Sequence, residues 1–365
     1  MRRPDIRRAD LLRIGTFLLA VVAIFLLPRL ISDFRAQQFA YVGIYLIALL
    51  GLNVLTGFTG QISLGHGAFM AIGGYTTAIL ISDQGLKIGS HVFTSDLKDI
   101  YTIPLAGLVA GIAGFLFGFP ALRLTGLYLA LATFAVAVAT PALIKKFETF
   151  TGGGGGINLF GIPGLTAAIE PVRIPIIGSE LGFNEWLYYL SWSVALAMFA
   201  VAWGLLRGRL GRAFRAIRDS ELAAASSGVN LARYKTLAFG ISAFYAGVAG
   251  SLLAIATTFV NPDTFPITLS IFLLVGVVVG GLGSLWPLVV GAIFIQFLPL
   301  WAQSLNGPLP DTLLFFDVPD FKASGAPAVV YGVILILVML AFPGGAAGLA
   351  RRIGFLTRRG YDRLS

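Results

Sequence analysis

Apolar residues in this chain come in long unbroken runs. That differs from the alternation of a half-buried strand and from the one-sided stripe of a surface helix. The runs lie near 11–31, 38–57, 62–82, 101–120, 125–145, 186–206, 235–257, 266–282, 286–305 and 327–349. Each is close to the roughly 20 residues a helix needs to cross the hydrocarbon core of a bilayer. The pattern predicts an all-α integral membrane protein, a polytopic bundle of ten transmembrane helices. Two places interrupt it. The third run carries Gly65, Gly67, Gly73 and Gly74, and Trp286–Pro287 stand at the start of the ninth. Each reads either as a full span or as a re-entrant or broken helix lining a cavity.

The polar positions between the runs set an orientation. With the N-terminus in the cytoplasm and ten spans, the cytoplasmic segments hold 18 of the 26 Lys and Arg, and the opposite side holds 12 of the 17 Asp and Glu. This is the positive-inside bias, and it predicts an N-in, C-in chain. Removing one span would put either the 207–235 block or the basic tail outside, so the even number of spans carries the bias. The basic stretch Met1–Arg13 precedes the first run, but no small-residue cleavage site follows Leu27, which predicts an uncleaved first span. The longest hydrophilic stretches are a periplasmic loop at 146–185 and a cytoplasmic one at 207–234; neither buries a core of its own, so 1–365 reads as a single transmembrane domain.

Composition narrows the chemistry. Of the 365 residues 57% are apolar and 12% charged, against about 45–50% and about 25% in soluble domains. The net charge of +9 sits at the ends of apolar runs, which reads as topology and not as nucleic-acid binding. Zero cysteines exclude thiol chemistry, and His66 and His91 alone make no histidine metal cage. No GxxxxGK[ST] loop is present to hold ATP, so any driving energy comes from a partner or an ion gradient. We expect no catalytic residue, metal or cofactor in the chain itself.

Three segments carry most of the remaining information. Gly51–Tyr75 is the most polar stretch at membrane depth, with Asn53, Gln61, Ser63 and His66 among seven glycines. It reads either as a lining of the path for a polar solute or as tight helix packing with His66 bonded to a neighbouring carbonyl. The run Thr151–Gly156 in the outer loop reads as a flexible linker, or else as a gate or docking loop for a solute-delivering protein. In 211–234, Ala213, Phe214 and Ile217 form an apolar face; Asp219 or Ser220 caps a short helix from Glu221 to Ser227; Gly228 stops it; and Asn230 caps the next span. The result is a cytoplasmic helix–turn–helix knob, read as a protein socket or as an interfacial helix on anionic lipid. Gly107, Gly111, Gly114 and Gly118 share one helix face and read as a packing seam, as do Gly247–Gly250.

Five blocks together resemble the LivM-type permeases of bacterial branched-chain amino acid ABC importers: GQISLGHGAFMAIGGY at 60–75, LRLTGLYLALATFA at 122–135, TGGGGGI at 151–157, GRAFRAIRDSELAAASSGVNLARYK at 211–235 and GGLGSLWPLVVGA at 280–292. The resemblance covers roughly 38–345 and implies an inner-membrane permease paired with a LivH-like subunit. Two ATPase subunits that bind ATP-Mg and a periplasmic solute-binding protein complete the implied assembly. It further implies that 211–228 couples to the ATPases through Arg215, Arg218, Asp219, Glu221, Ala223, Ala224 and Gly228. The wider permease pattern there is E-A-A, three residues, then Gly; Leu222 stands where the glutamate would, with Glu221 one position earlier. The glycine run likewise differs from the family's TGG-x-x-G, with Gly154 and Gly155 at the variable positions and Gly152, Gly153 and Gly156 at the fixed ones. Asn53, Gln61, Ser63, His66, Thr125 and Tyr128 are neutral polar groups suited to passing a zwitterion. Relatives in the fold carry urea, short amides or small aromatic acids. An ion-driven transporter calls for ionisable residues at midplane, and the proposed spans contain no Asp or Glu. An intramembrane enzyme has only Ser63 and His66 to draw on, without a carboxylate to orient them.

Overall fold

A computed structural model describes residues 24–82, 99–124, 126–159 and 180–304, with short pieces at 86–88, 91–93, 172–173, 312–313, 316–317 and within 332–348. Most of the first and last expected spans, and Thr125, lie outside the described residues. Ten helices organise the remainder: α1 Asp33–Leu52, α2 His66–Ile81, α3 Asp99–Ala121, α4 Leu127–Lys146, α5 Phe183–Arg207, α6 Arg209–Asp219, α7 Glu221–Ser226, α8 Leu231–Thr257, α9 Ile267–Gly280 and α10 Leu288–Ser304. α1 runs on into a π-helical turn, Asn53–Phe58.

By length and apolar composition, six of the described helical stretches are able to cross a membrane: Asp33–Phe58, Asp99–Ala121, Leu127–Lys146, Phe183–Arg207, Leu231–Thr257 and Pro262–Gly280. This is a multi-pass, all-α membrane architecture. α2 and α10 are shorter apolar helices, and α2 differs most from the expected span at 62–82. Residues 60–65 are not helical, so the third run is a broken element with helix only from His66 onward.

Burial separates centre from periphery. In α1 and α8, 83% of the apolar window is buried, against 33% in α3 and α4. α3 instead turns Leu105, Leu108, Ile112, Leu116 and Phe119 outward, and α4 turns out Leu131, Val138 and Leu143. Apolar side chains on the outside suit a hydrocarbon solvent, which has no preference between core and lipid face. The expected glycine seams are present: α8 lies between α2 and α3. A Cβ at Gly107 would meet Val248 and Phe244, one at Gly114 would meet Ala243, and one at Gly118 would meet Thr236.

The connections gather at two ends. At one end the π-turn, α6 and the turn after α9 meet, through Arg218 beside Gly57, Gly60 and Gly283. At the other, Ile157–Asn158 pair antiparallel with Phe259–Val260, and Asn184 Nδ2 donates to Asp33 Oδ2 at 2.6 Å.

The knob between α5 and α8 forms as its residues dictate. Phe214 and Ile217 are buried under α6, with the Phe214 ring edge-on to Tyr234. Of the two possible caps, Ser220 takes the role, its hydroxyl accepting from the Ala223 N–H at 3.3 Å. Gly228 stops the chain in the left-handed region at φ 84°, and the Asn230 side chain caps α8 through the Arg233 N–H at 3.0 Å.

Candidate functional site

The interrupted element 53–66 brings together most of the polar residues of the third run. His66 Nε2 donates to the Ala48 carbonyl at 3.0 Å, and the ring is 1% exposed. Ala48 lies ten residues before Phe58, which is about 15 Å back along α1. The non-helical segment 60–65 therefore climbs deep into the bundle before α2 begins. Its backbone is kept from lipid by hydroxyl groups: Thr133 Oγ1 accepts from Leu64 N at 2.9 Å, Ser63 Oγ from Gly65 N at 3.3 Å and Ser270 Oγ from Gly67 N at 2.9 Å. Gly67, whose amide has no partner within α2, is thus satisfied from α9, and Leu64 just before the helix from α4. Gln61 belongs to the same network, with its Nε2 donating to Thr59 Oγ1 at 3.0 Å and its carbonyl accepting from Thr56 Oγ1 at 3.2 Å.

Of the six residues expected along a solute path, Asn53, Gln61, Ser63 and His66 are buried and hydrogen-bonded within the chain, while Tyr128 is 71% exposed on α4. His66 takes the packing geometry that was the alternative reading. Thr133 and Ser270 were missed; hydroxyls inside apolar runs were their available signal.

A second junction lies at the end of the π-turn. Asn53 is fully buried, and its amide spans the turn after α9: Oδ1 accepts from Gly283 N at 2.9 Å and Nδ2 donates to Ser284 O at 2.9 Å. Gly57 packs against that amide, so a Cβ there would overlap Asn53 Oδ1. The Gly57 carbonyl accepts from Arg218 Nη1 at 2.5 Å. A carbonyl at a helix end has no intrahelical donor, and a cation there is favoured by the helix dipole. Arg218 thus completes α1 from outside. Glu221 is also engaged within the chain, 2.7 Å from Lys235 Nζ at the start of α8. Both residues are exposed in part and also tied to the rest of the chain. Arg215 and Asp219 are exposed as well, Arg215 with its Nη2 donating to Leu206 O at 3.4 Å. Ala224 is buried, Ala223 is exposed, and Leu222 is 82% exposed.

A sequence family described as "Branched-chain amino acid transport system / permease component" matches residues 35–342. The chain belongs to this family. It is 36% identical over 293 residues to the high-affinity branched-chain amino acid transport system permease protein LivM of Salmonella typhimurium (76% of this chain, 66% of the relative). It is 37% identical over 265 residues to LivM of Escherichia coli K12 (69% and 60%), and 25% identical over 312 residues to LivH of the same strain (83% and 91%). The chain thus spans 60–66% of the length of these LivM relatives. No solved structure matches it.

The geometry separates constrained from unconstrained glycines in the loop at 151–156 of this branched-chain permease. Gly152, Gly153 and Gly156 have φ of 70°, 57° and 69°, and Cβ atoms there would press on Gly156, Glu148 and Val260–Asn261. At Gly154 and Gly155 nothing lies within 4 Å. These facts fit the TGG-x-x-G pattern that the resemblance implies. The run is no flexible linker: a one-turn helix, Glu148–Thr151, leads into it, Thr151 Oγ1 donates to Ile144 O at 2.7 Å, and the following strand is paired. Gly156→Ala is expected to lower the melting temperature of the detergent-solubilised protein by several degrees, the effect of roughly 1–3 kcal/mol of backbone strain. Gly154→Ala should leave it unchanged. Equal shifts for the two would remove this account.

Proposed function

We propose that the chain is the membrane-spanning permease subunit of an ATP-binding-cassette importer for branched-chain amino acids. The observation that carries this reading is the family match across 35–342, joined to a well-built knob at one end of the bundle. In this reading the chain sits in the bacterial inner membrane with ten spans, N-in and C-in. It pairs with a second, LivH-like permease and rests on two ATPase subunits through the knob. The exposed surface of the knob, led by Leu222 and flanked by Asp219 and Arg215, is the part offered to an ATPase. Leucine where the wider pattern has glutamate favours an apolar socket. At the opposite end, the bare glycines 154 and 155 face outward, placed to receive a periplasmic solute-binding protein. The same scaffold would serve urea, short amides or small aromatic acids, since the neutral polar residues of 53–66 do not select among them.

The test is uptake into proteoliposomes holding the permease pair, the ATPases and the binding protein. Branched-chain amino acids should enter only with ATP and should continue to enter after an ionophore collapses the proton gradient. Uptake without ATP that stops with the ionophore would overturn the ATP-driven reading. ATP-dependent uptake confined to urea, amides or aromatic acids would overturn only the substrate.

A further inference from the structure

The geometry points to Arg218 as a transmission residue: it fastens the knob to the π-turn of α1 and the glycine turn after α9, so that one displacement of α6 moves both. This inference rests on the importer reading above and gives Arg218 a different task within it, turned toward the membrane helices instead of the ATPase.

Three chain segments converge at this residue. Arg218 is the penultimate residue of α6, whose buried Phe214, one turn earlier, and Ile217 fix the helix against the bundle. Its guanidinium donates to Gly57 O at 2.5 Å. A Cβ at Gly283 would lie 2.6 Å from Arg218 Nη1, so the glycine turn leaves room for the guanidinium and for nothing larger. Gly57 and Gly283 are themselves joined by the Asn53 amide. The Arg218 stem lies over Gly60, whose left-handed φ of 73° turns the chain into the 60–65 segment. A push on α6 therefore reaches α1, the non-helical entry to α2, and the α9–α10 turn through one side chain.

Two features suit these targets to movement. A π-turn is a rare variant of helix, found frequently at functional positions. The glycine turn has two left-handed residues, Gly281 at φ 112° and Gly283 at φ 74°, and it separates two short helices. A merely stabilising cap would need only the Gly57 carbonyl. The room left at Gly283 and the Asn53 bridge between the two turns are what transmission adds.

The experiment uses the reconstituted complex and reads solute taken up per ATP hydrolysed. Arg218→Ala should keep hydrolysis while lowering that ratio about tenfold, within the usual range of coupling between sites. Arg218→Lys, which retains a cation and a donor, should recover part of it. The chain has no cysteine, so a covalent replacement for the tether can be made without background. A Cβ at Gly60 would lie 3.8 Å from that of Arg218, the usual separation of about 3.8 Å across a disulfide. The Gly60→Cys/Arg218→Cys pair, reduced, should behave as Arg218→Ala; oxidised, it should regain coupling. The idea falls if Arg218→Ala transports at the wild-type ratio, if its complex loses hydrolysis altogether, or if the oxidised bridge leaves the ratio as low as the reduced form. A wild-type complex with no ATP-dependent uptake would instead sink the importer reading.

Discussion

Placing alanine at Gly73 or Gly250 is expected to prevent recovery of folded protein, while alanine at Gly204 leaves recovery unchanged. α2 and α8 touch backbone to backbone. A Cβ on Gly73 would overlap the Gly247 carbonyl and Cα, and one on Gly250 would overlap the Met70 carbonyl. Neither obstacle is a side chain that can rotate away, so the helices must separate along their whole contact. Gly247 is in turn packed against Ala106 and Ala110 of α3, so moving α8 away from α2 drives it into another wall. Overpacking typically costs about 1–3 kcal/mol even where side chains adjust, and here the loss should exceed that. At Gly204, on the exposed face of α5, nothing lies within 4 Å, and alanine gains helix propensity of up to about 1 kcal/mol. Monodisperse yield after detergent extraction and the melting temperature of what remains measure the difference. Gly73→Ala and Gly250→Ala proteins that match Gly204→Ala would show that the α2–α8 contact is not a tight one.

The fold was legible where one residue type had one physical use. Apolar runs marked α1, α3, α4, α5, α8, α9 and α10 to within a few residues, because a helix in lipid cannot contain much else. The knob was legible for a related reason: Ser220, Gly228 and Asn230 each have a strong local preference, and each is found in that role. The glycine seams on α3 and α8 could be read from spacing alone.

The candidate site was less legible, because polar residues in lipid have two uses that look alike in sequence. His66 and Asn53 are as conspicuous when they satisfy a neighbouring backbone as when they greet a solute. Distance in sequence hides the difference, since Asn53 meets Ser284 and Gly67 meets Ser270. The break at 60–65 was one of two readings open for the third run, and the run alone could not choose between them. Its apolar content suits a span, and only the hydroxyls of Thr133 and Ser270, on other helices, make a non-helical backbone tolerable at that depth. The glycine run misled in the opposite sense. Five glycines suggest slack, yet three of them are there because a left-handed, crowded backbone admits nothing larger.

Asn53→Leu is expected to destabilise the protein strongly at the junction between α1 and the α9–α10 turn. Leucine matches asparagine in size but leaves the Gly283 N–H and the Ser284 carbonyl without their partner. Each buried group abandoned in this way costs about 1–3 kcal/mol, so together they amount to a large share of a typical folding free energy of about 5–15 kcal/mol. Asn53→Asp separates the two bonds. A carboxylate still accepts from Gly283 N but opposes the Ser284 carbonyl, so aspartate should be at least as damaging as leucine despite keeping the acceptor. Asn53→Gln should not rescue either, because Gly57 packs directly against the amide and leaves no room for another methylene. Thermal unfolding of the three detergent-solubilised variants, followed by loss of monodisperse protein, orders them. An aspartate variant as stable as the native protein would mean that the Ser284 carbonyl finds another donor, and that the two turns are not joined through this one side chain.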